Sequence, residues 1–345
     1  MMDADELALV RSSLCRVLRG TEAAALPTAL LESGWADLVD PGLEHDADPD
    51  IDPGAGAGAG SRTSAAAVLA VLAEESGRGL VPGPALDLAV LHALGLPADD
   101  VTAVVLPPLP ARGPAAAVAG VRFDGGLVVD GFVLAGAGRA KRLLVATDGG
   151  VVAVDPTSAS VSVVPVGGLD PDLGLLAVRG TVAAGGCSVV AGGPRVAAAT
   201  AMARRFLAGQ LVGIAAAMLE ATVTYVIQRE QYGRPIGSFQ AVKHRLADVH
   251  VARCAAEDAV AFAWEDGGEL AAVAAKALAG RAFLTAATHC QQVHGAIAFT
   301  VEHELHRYVR RGYVLDTLFG SADDLTWELG ERLLASGTVP RLPPL

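Results

Sequence analysis

The chain has 345 residues, of which 52% are hydrophobic and 4% aromatic, and a formal net charge of −12 at pH 7. That length exceeds the size at which a single core keeps growing, so two or three domains are expected. The acidic balance excludes a general nucleic-acid binder, which needs a basic face. Arginine carries nearly all the positive charge, since Lys141, Lys243 and Lys276 are the only lysines.

Residues 1–96 read as a helical domain. Leu7 to Leu18 carries apolar residues at three- and four-residue spacing, and Ala24 to Leu31 continues the pattern up to Gly34-Trp35. Glu44 to Ser61, with its Asp-Pro steps and alternating glycines, predicts a flexible loop. It lacks the Lys-Ser/Thr of a P-loop and the GxGxxG of a dinucleotide fold. Ser64 to Ser76 and Ala85 to Leu94 resume as helix around a turn. Residues 97–190 change character: Val101–Leu106, Val121–Phe123, Leu127–Leu134, Arg142–Thr147, Val151–Val154 and Val161–Val166 are short β-type runs. Their close spacing predicts a small antiparallel barrel or sandwich. Residues 191–345 return to helix, over Val196–Gln228, Phe239–Glu265, Gly268–His294 and a last stretch broken near Gly312 and Gly320. Long alanine-rich helices with short connections predict a four-helix bundle.

Other features exclude several chemistries. Cys15, Cys187, Cys254 and Cys290 lie far apart without a CxxC pair, as buried thiols of a reducing cytoplasm do. The acidic N-terminus lacks the basic start of a signal peptide. Phe206 to Val226 is long and apolar, but Gln210, Glu220, Thr222 and Thr224 interrupt it, which favours a buried bundle helix over a membrane span. Glu302, His303, Glu304 and His306 have helical metal-ligand spacing, yet Arg307, Arg310 and Arg311 beside them favour a charged patch. A soluble cytoplasmic protein is expected.

Two short elements carry the functional signal. Arg229-Glu230-Gln231-Tyr232-Gly233, followed by Phe239-Gln240, packs a guanidinium, an aromatic ring and an amide into a turn between two helices. Arginine offers a planar fork suited to phosphate, and glycine allows close backbone approach. About sixty residues later, Gln292-Val293-His294-Gly295-Ala296 has the same character. With these motifs in this order, and with Leu31-Glu32-Ser33-Gly34-Trp35 near the start, the chain resembles the acyl-CoA dehydrogenase family over nearly its whole length. The resemblance implies an α+β, mainly α fold: an N-terminal helical domain, a middle β-barrel and a C-terminal four-helix bundle. It implies that Arg229, Tyr232, Gln240, Gln292 and Gly295 reach across a subunit interface to the FAD of a neighbouring chain, with His294 a weaker candidate contact.

The departures from that family pattern are equally informative. The family's catalytic glutamate lies in a Tyr-Glu-Gly-Thr motif, where this chain has Leu318-Phe319-Gly320-Ser321. An alternative glutamate position in the family corresponds to Ala203. Neither residue can take a proton, while Ser321 keeps a hydroxyl where the family has threonine. The β domain also lacks the Thr-Glu-Pro type flavin loop, and Leu106-Pro107-Pro108-Leu109-Pro110 stands near its place. The resemblance therefore implies the glutamate-lacking subunit of an α2β2 acyl-CoA dehydrogenase, as in actinobacterial steroid side-chain breakdown. Its implied partners are a second acyl-CoA dehydrogenase-like subunit bearing the glutamate, an acyl-CoA substrate, and an electron-transfer flavoprotein or similar acceptor. Two alternatives stay open: a self-sufficient homo-oligomer whose displaced base is Asp316, Asp323 or Asp324, and a cofactor-free scaffold.

Overall fold

A computed structural model describes residues 4–21, 25–33, 59–81, 83, 85–99, 101–109, 118–123, 125–134, 140–157 and 160–337. The expected loop at 44–58 and the Gly34-Trp35 pair lie outside the described residues. The first region holds α1 (Ala4–Gly20), α2 (Leu26–Glu32), α3 (Ala59–Arg78) and α4 (Ala85–Leu94). The apolar spacing of α1 buries Leu14 and Leu18. Residues 59–61, expected as loop, already belong to α3.

The β region contains eight strands: β1 (Thr102–Val105), β2 (Gly120–Phe123), β3 (Gly126–Val133), β4 (Arg142–Thr147), β5 (Gly150–Val154), β6 (Ser160–Pro165), β7 (Leu176–Ala183) and β8 (Cys187–Gly192). They form two four-stranded sheets, ordered β1-β4-β5-β8 and β2-β3-β7-β6. The expectation of an antiparallel domain needs one correction, because β1 and β4 pair in parallel. The chain leaves β1, builds the β2–β3 hairpin in the opposite sheet and returns, so β4 arrives in the direction of β1. Two strands, β7 and β8, were also missing from the sequence reading. Glycines at 180, 185, 186 and 192 break the apolar runs that would announce them. Alternating residues such as Val105, Leu127, Val145, Val152 and Val178 fill the space between the sheets. The other face of the first sheet, through Val104, Leu144, Val151 and Ala153, joins the helical core. That sheet is therefore covered on both sides, which is why every residue of β5 is buried.

The third region contains α5 (Gly193–Gln228), α6 (Gln240–Asp266), α7 (Glu269–His294), α8 (Leu305–Thr317) and α9 (Ala322–Ser336). Every residue of α5 from Ala201 to Ala216 is buried, since α3 and α4 cover one side and α6 and α7 the other. A Cβ built on Gly213 would lie 2.2 Å from the Glu74 carbonyl oxygen, so the α3–α5 crossing needs glycine there. Two helices, Gly193–Gln228 and Glu269–Phe299, are long and apolar enough to cross a membrane. In the most apolar windows, 72% and 67% of residues are buried within the chain. The expected break at Gly312 does not occur. Gly312 lies inside α8, where a Cβ would meet the Phe283 ring at 2.0 Å, whereas the break expected near Gly320 does occur, at residues 318–321.

Two buried polar groups mark the contacts between regions. The Arg311 guanidinium of α8 pairs with Asp170 of the β region, and its Nη1 donates to the Val81 carbonyl of the first region at 3.2 Å. Both side chains of that pair are about as buried as core leucines, at 4% and 5% exposed. Asp87 of α4 is 2% exposed, and neither of its oxygens has a well-aligned partner among the described residues. Burial pushes its carboxyl up to about 8, only partly offset by the Val104 backbone of β1.

Removing one member of the Arg311–Asp170 pair strands the other charge in the interior. Asp170→Ala is expected to cost about 3–5 kcal/mol in urea unfolding, and Arg311→Met with Asp170→Leu together considerably less. A second expectation concerns pH. The folded chain keeps the Asp87 proton up to about pH 8, whereas the unfolded carboxyl releases it near its ordinary 3.8. This contribution to stability is full below pH 3.8 and is lost as pH rises to about 8. Asp87→Asn is therefore expected to unfold at a higher temperature than wild type at pH 9, with the gap shrinking towards pH 5. Equal shifts at both pH values would refute the assignment.

Candidate functional site

The first motif caps α5. The Arg229 backbone N–H donates to Tyr225 O at 2.9 Å, and the Ile236 N–H donates to Arg229 O at 2.8 Å. Between them the chain forms a β-hairpin of β9 (Glu230–Gln231) and β10 (Arg234–Pro235). The sequence reading took this piece as a simple turn between helices. Tyr232 and Gly233 have φ of 53° and 75°, the left-handed pair that a two-residue hairpin loop demands. Tyr232 is 93% exposed, stands edge-on to Phe239, and the Arg234 guanidinium covers the Phe239 ring at 4.2 Å.

The second motif ends α7. Gly295 is its C-cap at φ 70°, and a Cβ built there would meet nothing within 4 Å. The two motifs meet through their neighbours. Tyr225 of α5 stacks on His294 with ring centroids 4.3 Å apart, and His303 lies 4.5 Å from His294 on a T-shaped contact. His294 is 5% exposed and its Nδ1–H donates to Cys290 O at 2.9 Å, so it supports the motif from behind. Burial lowers its pKa, the Cys290 carbonyl opposes this, and His303 adds to the lowering. Arg229, Gln240, Gln292 and Gly295 are all exposed. Among the described residues, the side chains of Arg229, Gln240 and Gln292 have no hydrogen bond or ion pair. A salt bridge at the helix end therefore does not account for Arg229.

The positions expected to correspond to the family glutamate, Phe319 and Ala203, lie elsewhere, in the interior. Phe319 has φ 57° and is 6% exposed. It faces a cavity of about 30 Å³ whose walls include Leu94, Val104, Leu144, Val151 and Val196. That space suits one or two waters and no ring system. Ala203 is fully buried. Its neighbour Arg204 donates from Nε to Phe319 O at 3.1 Å and pairs with Glu328 at 2.9 Å. Lys276, 0% exposed, donates to Asp316 O at 2.8 Å and Gly320 O at 2.6 Å. Burial pushes its amine down to about 7, against the pull of Asp316. Lys276 and Arg204 thus hold three carbonyls at this break between α8 and α9. The sequence reading missed Arg204 and Lys276, although a lone lysine inside an alanine-rich helix was a visible signal.

The remaining candidates are engaged structurally. The Asp316 carboxylate accepts the Ala322 N–H at 3.1 Å, and burial raises its pKa. Asp324 and Ser321 form a capping box at the start of α9, which occupies the Ser321 hydroxyl. Asp323 is exposed and pairs with Arg281 at 3.5 Å. Among the described residues no group of three or more His, Cys, Asp or Glu could hold a metal. Leu106 is buried in a bridge to Phe132, and residues 110–117 lie outside the described residues.

The donor set at the hairpin end fits the diphosphate end of a dinucleotide: an unpaired guanidinium, two free amides and an open glycine. The closed apolar turn at Phe319 does not fit a flavin ring.

Known proteins match this layout. Residues 191–334 match the family described as acyl-CoA dehydrogenase, C-terminal domain. The acyl-CoA dehydrogenase IpdE2 of Mycobacterium tuberculosis is 34% identical over 244 residues, covering 71% of this chain and 70% of the relative. A solved structure named as the Tcur3481-Tcur3483 steroid acyl-CoA dehydrogenase, G363A variant, superposes with TM-score 0.74 at 25% identity. It covers 96% of this chain and 98% of that one. The ChsE4-ChsE5 complex from Mycobacterium tuberculosis shares the fold, with TM-score 0.71, 21% identity and 99% coverage of each chain. The chain belongs to the acyl-CoA dehydrogenase family, whose members are FAD-dependent oxidoreductases.

Proposed function

We propose that this chain is the glutamate-lacking subunit of a heteromeric acyl-CoA dehydrogenase and completes the FAD site of its partner. The observation that carries this reading is the contrast between two places in the molecule. Where the family keeps its base, Phe319 closes an apolar space of about 30 Å³. Where the family grips the cofactor, Arg229, Gln240 and Gln292 stand exposed with no partner among the described residues.

The family reaction removes a proton from the carbon next to a thioester, which needs a carboxylate within hydrogen-bond reach. Phe319 and Ala203 offer none, and Asp316, Asp323 and Asp324 are tied to helix ends or to Arg281. FAD, if held there, would supply the hydride acceptor for this chemistry. This chain's own part would be binding: Arg229 would offer its fork of donors to diphosphate oxygens, and Gly295 would let the backbone approach. Tyr232, held over Phe239, supplies an aromatic surface beside them. The partner carries the glutamate and the flavin ring site. The two-part name of the steroid enzyme supports a heteromeric complex; an α2β2 assembly acting on a CoA thioester with a bulky polycyclic acyl group is the form this proposal takes. Electrons then pass to an electron-transfer flavoprotein or similar acceptor, in the cytoplasm.

Expressed alone, the chain should be colourless and inactive on acyl-CoA. With its partner it should become yellow and active. Arg229→Ala and Gln292→Ala in the complex are each expected to weaken FAD retention about tenfold, read by flavin release on dilution. Phe319→Glu should give no activity to the chain alone, because the pocket has no room for the ring. A homo-oligomer of this chain that binds FAD and oxidises acyl-CoA by itself refutes the reading.

A further inference from the structure

The hairpin that caps α5 carries a second guanidinium besides that of Arg229. Arg234 is exposed, and among the described residues its side chain has no hydrogen bond or ion pair. Its guanidinium lies over the Phe239 ring, 4.2 Å from the centroid. Stacking of this kind uses the flat face of the guanidinium and leaves its N–H donors free in the guanidinium plane. It also restrains the side chain before any ligand arrives, so less freedom is lost when one does.

Strand geometry brings the two arginines together. Side chains alternate between the faces of a strand, and residues opposite each other share a face. Arg234 pairs with Gln231. Arg229 stands two positions before Gln231, and its carbonyl accepts the Ile236 N–H at 2.8 Å, which extends the same ladder. Arg229, Gln231 and Arg234 therefore occupy one face of the hairpin. The two arginines are diagonal neighbours on it, about 7–8 Å apart at the backbone and within reach of one ligand. Glu230 pairs with Pro235 and falls on the other face. In a chain of net charge −12, this face thus sets two unpaired cations side by side with no carboxylate of the hairpin between them. Like charges so placed repel, and a ligand with two adjacent negative charges relieves both.

We propose that Arg234 is a second phosphate-binding residue, and that Arg229 and Arg234 together take the two phosphates of a dinucleotide, one guanidinium to each. This rests on the reading that the hairpin end grips FAD, and adds to it a preference for two linked phosphates over one.

Displacement of FAD from the assembled complex by ADP and by AMP, followed by flavin fluorescence, tests the preference. ADP should compete about tenfold more strongly than AMP against the wild-type complex. Arg234→Gln should cut that ratio to about twofold and weaken FAD retention about tenfold. A merely structural role would weaken FAD retention and leave the ratio as it is. Arg234 is exposed, so the variant should assemble as wild type does, which size-exclusion chromatography checks. An unchanged ADP-to-AMP ratio in Arg234→Gln overturns the proposal. So does wild-type FAD retention in Arg234→Gln when Arg229→Ala releases its flavin. Wild-type retention in both variants overturns the underlying reading of the hairpin end as well.

Discussion

One guanidinium joins all three regions of this molecule. Arg311 sits on the last helical layer, takes a carboxylate from the β region and donates to a carbonyl of the first helical region. A planar fork can serve two acceptors in different directions, which a lysine ammonium does less rigidly. The pair is buried, so its attraction is offset by the cost of taking both charges from water. Its main effect is therefore geometric. A wrong docking of the regions leaves a bare charge inside, and only one docking satisfies both partners. Everything at the Phe319 turn depends on that docking, because α4, β1 and β5 must meet α5 there.

The turn itself repeats the device on a smaller scale. Leu318 to Ser321 breaks two helices in the middle of a packed core, which frees carbonyls that helices would otherwise satisfy. Lys276 and Arg204 take three of them. Phe319 can then occupy a left-handed conformation that a bulky side chain rarely adopts. Glutamate at this position would enter an apolar space, and burial of that kind drives the Asp87 carboxyl up to about 8.

Much of this architecture was legible in the sequence. Helical spacing in α1, α5 and α7 followed the apolar pattern, and β4 and β5 stood out because both faces of their sheet are covered. Strands β7 and β8 were harder, since glycines interrupt them and their exposed residues carry no strong alternation. The Gly312 break failed for a related reason. A glycine in a helix signals either an end or a close neighbour, and only the Phe283 ring across the interface decides which. The hairpin motif was legible as chemistry before it was legible as shape. What residue spacing alone did not supply was direction: that Arg229 faces outwards was implied only by the family resemblance, and the structure has it exposed.

That direction bears on the chemistry through solvation. An exposed arginine, two exposed amides and a 93%-exposed tyrosine add no packing energy to this chain and leave their hydrogen-bonding groups to water. Behind them the chain spends a stacked Tyr225–His294–His303 cluster, with a buried His294 nitrogen lacking a partner among the described residues, to hold both motifs in register. A surface with no external use needs no such support, because loops without function tolerate disorder. Rigid backing behind an unpaired donor array is the arrangement expected of a binding site whose ligand approaches from outside. On the proposed reading, an anionic ligand would meet donors mounted on a backbone that this cluster already fixes, at a lower entropic cost than on an unsupported loop.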